Sequence, residues 1–178
     1  MRDEEKSTPE IGILLGSKSD LALVKKAEDV FSFFGVTWEI SVASAHRTPE
    51  DVARYASRAR GRGIRVLVAA AGLSAALPGV VAAHTHLPVI GIPVAGGTLG
   101  GLDALLSIAQ MPPGVPVACT GIDGARNAAL LAVRILALDD PDLTERYRTW
   151  ARRAADSVVS SRSKVEGLPP IPGEAYGA

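Results

Sequence analysis

Aromatic residues are scarce in this chain: Phe, Tyr and Trp together make up 4% of its 178 residues. With 47% hydrophobic residues, its core must be built from Ala, Val, Leu and Ile. Cysteine occurs once, at Cys119, which excludes an internal disulfide and fits a reducing compartment. Its flank, Val115-Pro116-Val117-Ala118, reads as a buried strand, so a packed thiol is expected there rather than a nucleophile. Neither sign of charge is in excess: Lys plus Arg is 19, Asp plus Glu is 19, and the net charge is zero. The chain therefore carries no electrostatic footprint for nucleic acid or an anionic membrane. No apolar run approaches the length of a membrane span. The polar, charged start, residues 1–9, is unlike a signal peptide. A soluble cytoplasmic protein with no nucleic-acid or membrane partner is expected. His84 and His86 stand two apart with no Cys or carboxylate set beside them, so no metal site is expected.

Glycine is what the chain has in quantity, 18 residues, mostly at the ends of apolar runs. Apolar, β-branched runs predict strands at 10–15, 37–43, 64–70, 87–94 and 115–119. Helical periodicity predicts helices at 21–34, 49–60, 79–84, 102–110, 123–138 and 141–161. Gly35 suits the left-handed position that closes the first of these, and Asp123 is a possible cap of the Ala-rich fifth. The last carries Leu143, Tyr147, Trp150, Ala151 and Ala154 on one stripe. Strands alternating with helices imply a parallel sheet with right-handed crossovers. The expected fold is α/β: a three-layer αβα, doubly wound parallel sheet of flavodoxin-like order with an additional C-terminal helix. Its ligand belongs at the switch point between the first and third strands. Residues 1–9 are expected to be disordered, 10–161 to form a single domain, and 162–178 to be a flexible tail.

Two turns carry the chemistry. Ser44-Ala45-His46-Arg47-Thr48-Pro49 joins the second strand to a helix, with Thr48 a plausible cap and Pro49 at the first helical position. Histidine is the one side chain whose ordinary pKa lies near neutrality, so His46 can give and take a proton in one cycle. Arg47 beside it fits a phosphate or carboxylate bidentately. Gly16-Ser17-Lys18-Ser19-Asp20 opens a helix after the first strand, where backbone N–H groups and hydroxyls suit a phosphate. Asp20 can accept from ribose hydroxyls. It lacks the Walker pattern, and the same residues would also serve as a plain helix cap. The run 69–79 has almost no bulk; it would admit a planar ring or simply let a helix pack closely on the sheet. Asp103, in the helix after a Gly-rich loop, reads as a cap or surface residue. Asn127, in an Ala-rich helix too apolar for a solvated face, reads as a polar contact in close packing, within the chain or between subunits.

These pieces, in this order, resemble the PurE family. Besides the two turns, the resemblance rests on Leu77-Pro78-Gly79, on Leu87-Pro88-Val89-Ile90-Gly91-Ile92-Pro93-Val94, on Gln110-Met111-Pro112-Pro113-Gly114 and on Asn127-Ala128-Ala129-Leu130-Leu131-Ala132. It runs from about residue 11 to 138. The family comprises N5-carboxyaminoimidazole ribonucleotide (N5-CAIR) mutases and aminoimidazole ribonucleotide (AIR) carboxylases of purine biosynthesis. Arg47 matches the mutase-type branch, since the animal-type carboxylases usually carry Lys there.

The resemblance implies migration of a carboxylate from an exocyclic nitrogen to ring carbon C4, without metal or organic cofactor. His46 would be the general acid and base. Ser17, Asp20 and Arg47 would hold the ribose-phosphate end, with Ser19, Ser44, Gly72, Ser74 and Leu77 completing the substrate-binding set. The small-residue turn around Gly72 to Leu77, with the loop near Met111, would enclose the ring and retain CO2. Family members are octamers with sites built from several subunits, which would give the Ala-rich helix and the Trp150 stripe a purpose. One departure stands out: many members carry a second histidine just before Leu-Pro-Gly, where this chain has Ala76. The alternatives are a carboxylase that uses free CO2 and a nucleotide-binding module that has lost catalysis along with that histidine.

Overall fold

The computed structural model describes residues 8–165, 169 and 171–176. Five strands, β1 (Ile11–Leu15), β2 (Trp38–Val42), β3 (Val66–Gly72), β4 (Val89–Val94) and β5 (Ala118–Cys119), form one sheet in the order β2-β1-β3-β4-β5. Every neighbouring pair is parallel. β1 lies between β2 and β3, with Ile11 opposite both Trp38 and Val66. The chain leaves β1 in one direction and β3 in the other, so the carboxyl ends of these strands border a crevice. This is the doubly wound, flavodoxin-like order that the sequence predicts.

β1 and β3 are buried along nearly their whole length because helices cover both faces. Successive side chains alternate between them. Ile11, Ile13, Leu15, Val66, Val68, Ala70, Ile90 and Ile92 face one cluster, with α1 (Leu21–Lys25), α2 (Glu28–Phe34) and α6 (Ala125–Leu136). Leu14, Leu67, Ala69 and Val89 face the other, with α3 (Pro49–Ala59), α4 (Leu77–Ala83) and α5 (Leu102–Ala109). The small residues of the core let these helices approach closely. A Cβ on Gly91 would meet Pro78 and Val117 at 3.2 Å and Ile108 closer still, so glycine is needed for α4 and α5 to lie down on β4.

α7 (Pro141–Ser161) is held on α2 by the few aromatics there are. Phe33 and Trp150 meet edge to face at 4.9 Å, and Phe34 lies 5.7 Å from Tyr147 and 5.6 Å from Trp150. Arg146 donates from Nη1 to the Phe34 carbonyl (2.7 Å), covering an unpaired carbonyl at the end of α2. The stripe ends sooner than the sequence suggests. Leu143, Tyr147 and Trp150 pack, but Ala151 and Ala154 are exposed, as is the rest of the helix. The second half of α7 projects from the body.

Other boundaries also move. The helix expected over 21–34 is two helices, broken at Lys26 and Ala27, although its apolar face is buried as expected. Nothing in the local sequence explains the break. Gly35 closes α2 in the left-handed region (φ 65°). α4 begins at Leu77 rather than 79, with Pro78 in its first turn, where a missing N–H is harmless. β5 shrinks to two half-exposed residues, because Pro116 has no N–H to pair. Cys119 still packs against the α5 side of the core, and burial pushes its thiol pKa up. Residues 1–7 and most of 166–170 lie outside the described residues. Thr8 is met by the Thr37 hydroxyl, which donates to its carbonyl (2.8 Å), and Arg162–Lys164 and Gly173–Tyr176 form short helical turns.

Candidate active site

The turns that leave β1, β2, β3 and β4 line one cleft of about 620 Å³ at the carboxyl edge of the sheet. All nine site residues expected from sequence line it: Ser17, Ser19, Asp20, Ser44, His46, Arg47, Gly72, Ser74 and Leu77. Ala76, Leu73 and residues 94–97 complete the walls.

After β1, Gly16 continues the sheet, its N–H bonded to the Ala70 carbonyl (3.0 Å). Ser17 then caps a short helical turn, Lys18–Asp20, by accepting from the Ser19 N–H (3.3 Å). The Ser19 hydroxyl lies 2.9 Å from both Ser17 Oγ and Asp20 Oδ1. It has one hydrogen to give. Since a carboxylate oxygen only accepts, Ser19 donates to Asp20 and receives from Ser17. Asp20 is buried, at 8% exposure, and this chain of hydroxyls fixes its direction.

After β2, Ala43 extends the pairing by bonding to the Leu15 carbonyl (2.9 Å). The next turn closes on itself. The Thr48 hydroxyl accepts from the Ser44 N–H (3.0 Å) and faces the Ser44 carbonyl (3.3 Å). Thr48 thus stands at the N-cap of α3 without making the expected side-chain cap bond; its hydroxyl is spent on the turn that presents His46. The Ser44 hydroxyl accepts from Arg47 through both the backbone N–H (3.3 Å) and Nε (3.4 Å). Arg47 Nη2 donates to the Gly16 carbonyl at 3.3 Å, which ties the two turns together. His46 is exposed at the cleft, on a backbone anchored by its neighbours on both sides.

After β3, Gly72 lies against β4 so closely that a Cβ would come 3.3 Å from the Val94 carbonyl oxygen. Leu73 takes a left-handed φ of 55°, and Ser74 follows it, exposed. Leu77 is buried in the core, so it contributes to the floor of the cleft rather than to its open surface. After β4, the Ala95 N–H donates to the Asp123 carboxylate (3.0 Å), while Asp123 N–H donates to the Pro93 carbonyl (2.8 Å). Asp123, at φ 56°, is therefore no cap of α6; it holds the loop after β4 in place. Neither Leu73 nor Asp123 announces itself in the sequence, because each role depends on a neighbour brought in by folding.

The sequence profile of the AIR carboxylase family matches residues 10–157. The chain belongs to this family. An N5-carboxyaminoimidazole ribonucleotide mutase of Pyrococcus horikoshii is 48% identical over 160 residues, covering 90% of each chain. A phosphoribosylaminoimidazole carboxylase of Schizosaccharomyces pombe is 46% identical over 89% of this chain, which spans 29% of that longer protein. The crystal structure of PurE from Treponema denticola superposes with a TM-score of 0.80 at 29% identity, covering 89% of this chain and 99% of that one. Membership in the AIR carboxylase family thus accounts for the fold from β1 to the last turn of α7. Among the described residues no helix is long and apolar enough to cross a membrane.

Proposed function

We propose that this chain is an N5-CAIR mutase, an isomerase that moves a carboxylate from the exocyclic nitrogen to C4 of an aminoimidazole ribonucleotide in cytoplasmic purine biosynthesis. One observation carries the reading: His46 and Arg47 share a single cleft with the Ser17–Asp20 turn at the switch point of the sheet. The near half-identity to mutases over almost the whole chain supports it.

In this reading, Arg47 and the Ser17 turn take the phosphate, and Asp20 takes the ribose hydroxyls. His46 stands over the ring. The bond from nitrogen to the carboxyl carbon breaks, its electron pair stays on nitrogen, and His46 delivers a proton there. Free CO2 remains in the cleft. The enamine-like C4 then bonds to its carbon, and the C4 proton returns to His46. The overall change is an isomerisation, so no oxidant, reductant or cofactor is required. Such proton transfers contribute about 10²–10⁴-fold to rate. Ala76 supplies no second imidazole, which leaves Ser74 and water as the polar groups at the β3 turn.

The site is proposed to be completed in a homo-oligomer, in keeping with an octamer. Val158 (66% exposed) and Val159 (52%) on the projecting half of α7 leave apolar surface for a second copy, as do Leu99, Leu102 and Leu106 near the cleft. The alternative is direct carboxylation of AIR with free CO2, the reaction in the name of the S. pombe relative. Purified protein offered each substrate without ATP distinguishes the two. The mutase reading predicts 4-carboxy-AIR from N5-CAIR without added bicarbonate; product only from AIR plus CO2 contradicts it.

A further inference from the structure

A second cavity lies at the opposite, amino edge of the sheet. α3 starts just after the His46 turn and α4 starts at the floor of the cleft; both run away from it toward the strands they precede, β3 and β4. Where they end, Ser57, Arg60, Ala83, His84, Thr85 and His86 line a cavity of about 300 Å³. Small-molecule sites begin at roughly that size. Two of the three histidines of the chain meet Arg60 there, and no carboxylate stands among the lining residues. Among the described residues, the side chains of Arg60, His84 and His86 make no hydrogen bond, ion pair or ring contact. Arg54 and Arg62, on either side of Arg60 in the chain, differ: each meets a carboxylate, Asp51 at 3.9 Å and Glu39 respectively. A helix C-terminus favours a cation, which accounts for Arg60 after α3 and for His84 at the end of α4. It does not account for His86, which belongs to the loop before β4. The two hydroxyls are unequal. Ser57 donates its hydrogen to the Arg54 carbonyl (3.2 Å) and has none left for a ligand. Thr85 accepts from the Leu87 N–H (3.2 Å), so its own hydrogen is free to donate. Four donor side chains thus border one cavity without an anion among them.

We propose that this cavity is a second, non-catalytic site, and that it binds the phosphate group of a small molecule. The inference does not depend on the mutase reading. A carboxylate offers two acceptor oxygens, whereas a terminal phosphate offers three and more charge. Arg60 takes two of its oxygens with the guanidinium fork. The imidazole N–H groups of His84 and His86 and the Thr85 hydroxyl supply the remaining donors. A metal ion is the wrong occupant, because Arg60 repels a cation and two imidazoles without a Cys or carboxylate make an incomplete ligand set. The phosphate arrives either as the free inorganic ion or as the monoester of a nucleotide, and both present the same oxygens.

The test titrates the full-length protein calorimetrically with inorganic phosphate and, separately, with adenosine monophosphate. It is run at about pH 6, where an ordinary histidine is mostly protonated. The parent for these titrations is Arg47→Ala, which removes the phosphate contact proposed for the cleft. The parent is expected to bind at least one probe at millimolar concentration. Adding Arg60→Ala or His86→Gln is expected to weaken that binding about 10- to 100-fold, the worth of a charge-assisted hydrogen bond. Tighter binding of the nucleotide than of the free ion assigns the site to a phosphate monoester; equal binding assigns it to phosphate itself. Arg60→Ala and His86→Gln, made singly in the otherwise unaltered chain, are expected to leave kcat and KM unchanged, since both side chains are exposed and far from the cleft. Failure of the parent to bind either probe overturns the proposal, as does an affinity that neither variant changes. Loss of turnover together with binding would tie these residues to the cleft and overturn a separate site.

Discussion

The Arg47 guanidinium donates from Nη2 to the Gly16 carbonyl across 3.3 Å, so one side chain joins the turns that follow β1 and β2. Both turns border the same cleft, and the bond leaves other N–H groups of the fork free to meet an anion. Arg47→Ala is expected to raise KM for the ribonucleotide about 10- to 100-fold, the range for a lost charge-assisted contact. The exposed position predicts little change in melting temperature. Unchanged KM in steady-state kinetics would remove Arg47 from substrate binding.

Asp123 acts at a distance. Its carboxylate is the acceptor for Ala95 N–H, at the start of the loop that carries Gly97. Asp123→Ala is expected to speed amide exchange at Ala95 and to raise KM by roughly 2- to 10-fold, the worth of one hydrogen bond. Asp123→Asn keeps an acceptor and tolerates the left-handed backbone, so it should behave as wild type. Equal exchange in all three would show that the loop holds without this bond.

A pH dependence of stability follows from Glu39, Tyr55 and Arg62. The Arg62 hydrogen bond holds the Glu39 carboxyl below the ordinary range, helped by Tyr55, whose hydroxyl donates at 2.8 Å, and opposed by burial. A lowered folded pKa gives stability that is present above the ordinary carboxylate range and lost as pH falls through the folded value. Tyr55 is shifted the other way: burial, then the bond to Glu39, raises its pKa far above normal. Its contribution is full below the ordinary tyrosine value of about 10 and lost as pH climbs beyond it. Urea midpoints against pH should show Glu39→Gln flattening the acid limb and Tyr55→Phe flattening the alkaline limb. Profiles parallel to wild type would contradict this.

The same tyrosine limits β1. A Cβ on Gly12 would lie 2.8 Å from Leu67 Cδ2 and closer still to the Tyr55 hydroxyl. Gly12→Ala is expected to lower unfolding free energy by about 1–3 kcal/mol, as overpacked cores do. Adding Tyr55→Phe removes the offending oxygen and should recover part of the loss in urea denaturation.

The sheet order and the cleft were readable because parallel strands are apolar on both faces and catalytic turns follow their carboxyl ends. Ile11-Gly12-Ile13-Leu14-Leu15 and Val66 to Ala70 carry that pattern openly. His46, Arg47, Ser17 and Asp20 were legible as residue types on turns, and the fold brings them to one cleft. What was hidden depends on contacts between distant segments. Asp123 reads as a helix cap until folding places Ala95 beside it, 28 residues away in the chain. Thr48 reads as a cap until Ser44 claims its hydroxyl. The backbone of Leu73 is set by β4 and by the turn after it, not by local propensity. Ala151 and Ala154 continue a helical stripe, but periodicity does not reveal where the body beneath a helix ends.

The central claim is that His46 moves both protons of the isomerisation. Turnover of N5-CAIR by His46→Asn, measured alongside calorimetric binding of the ribonucleotide, tests it most directly. Asparagine keeps polarity and approximate size but cannot shuttle a proton. The account predicts a fall in kcat of about 10²–10⁴-fold or more with binding within a fewfold of wild type. A kcat close to that of wild type would contradict it.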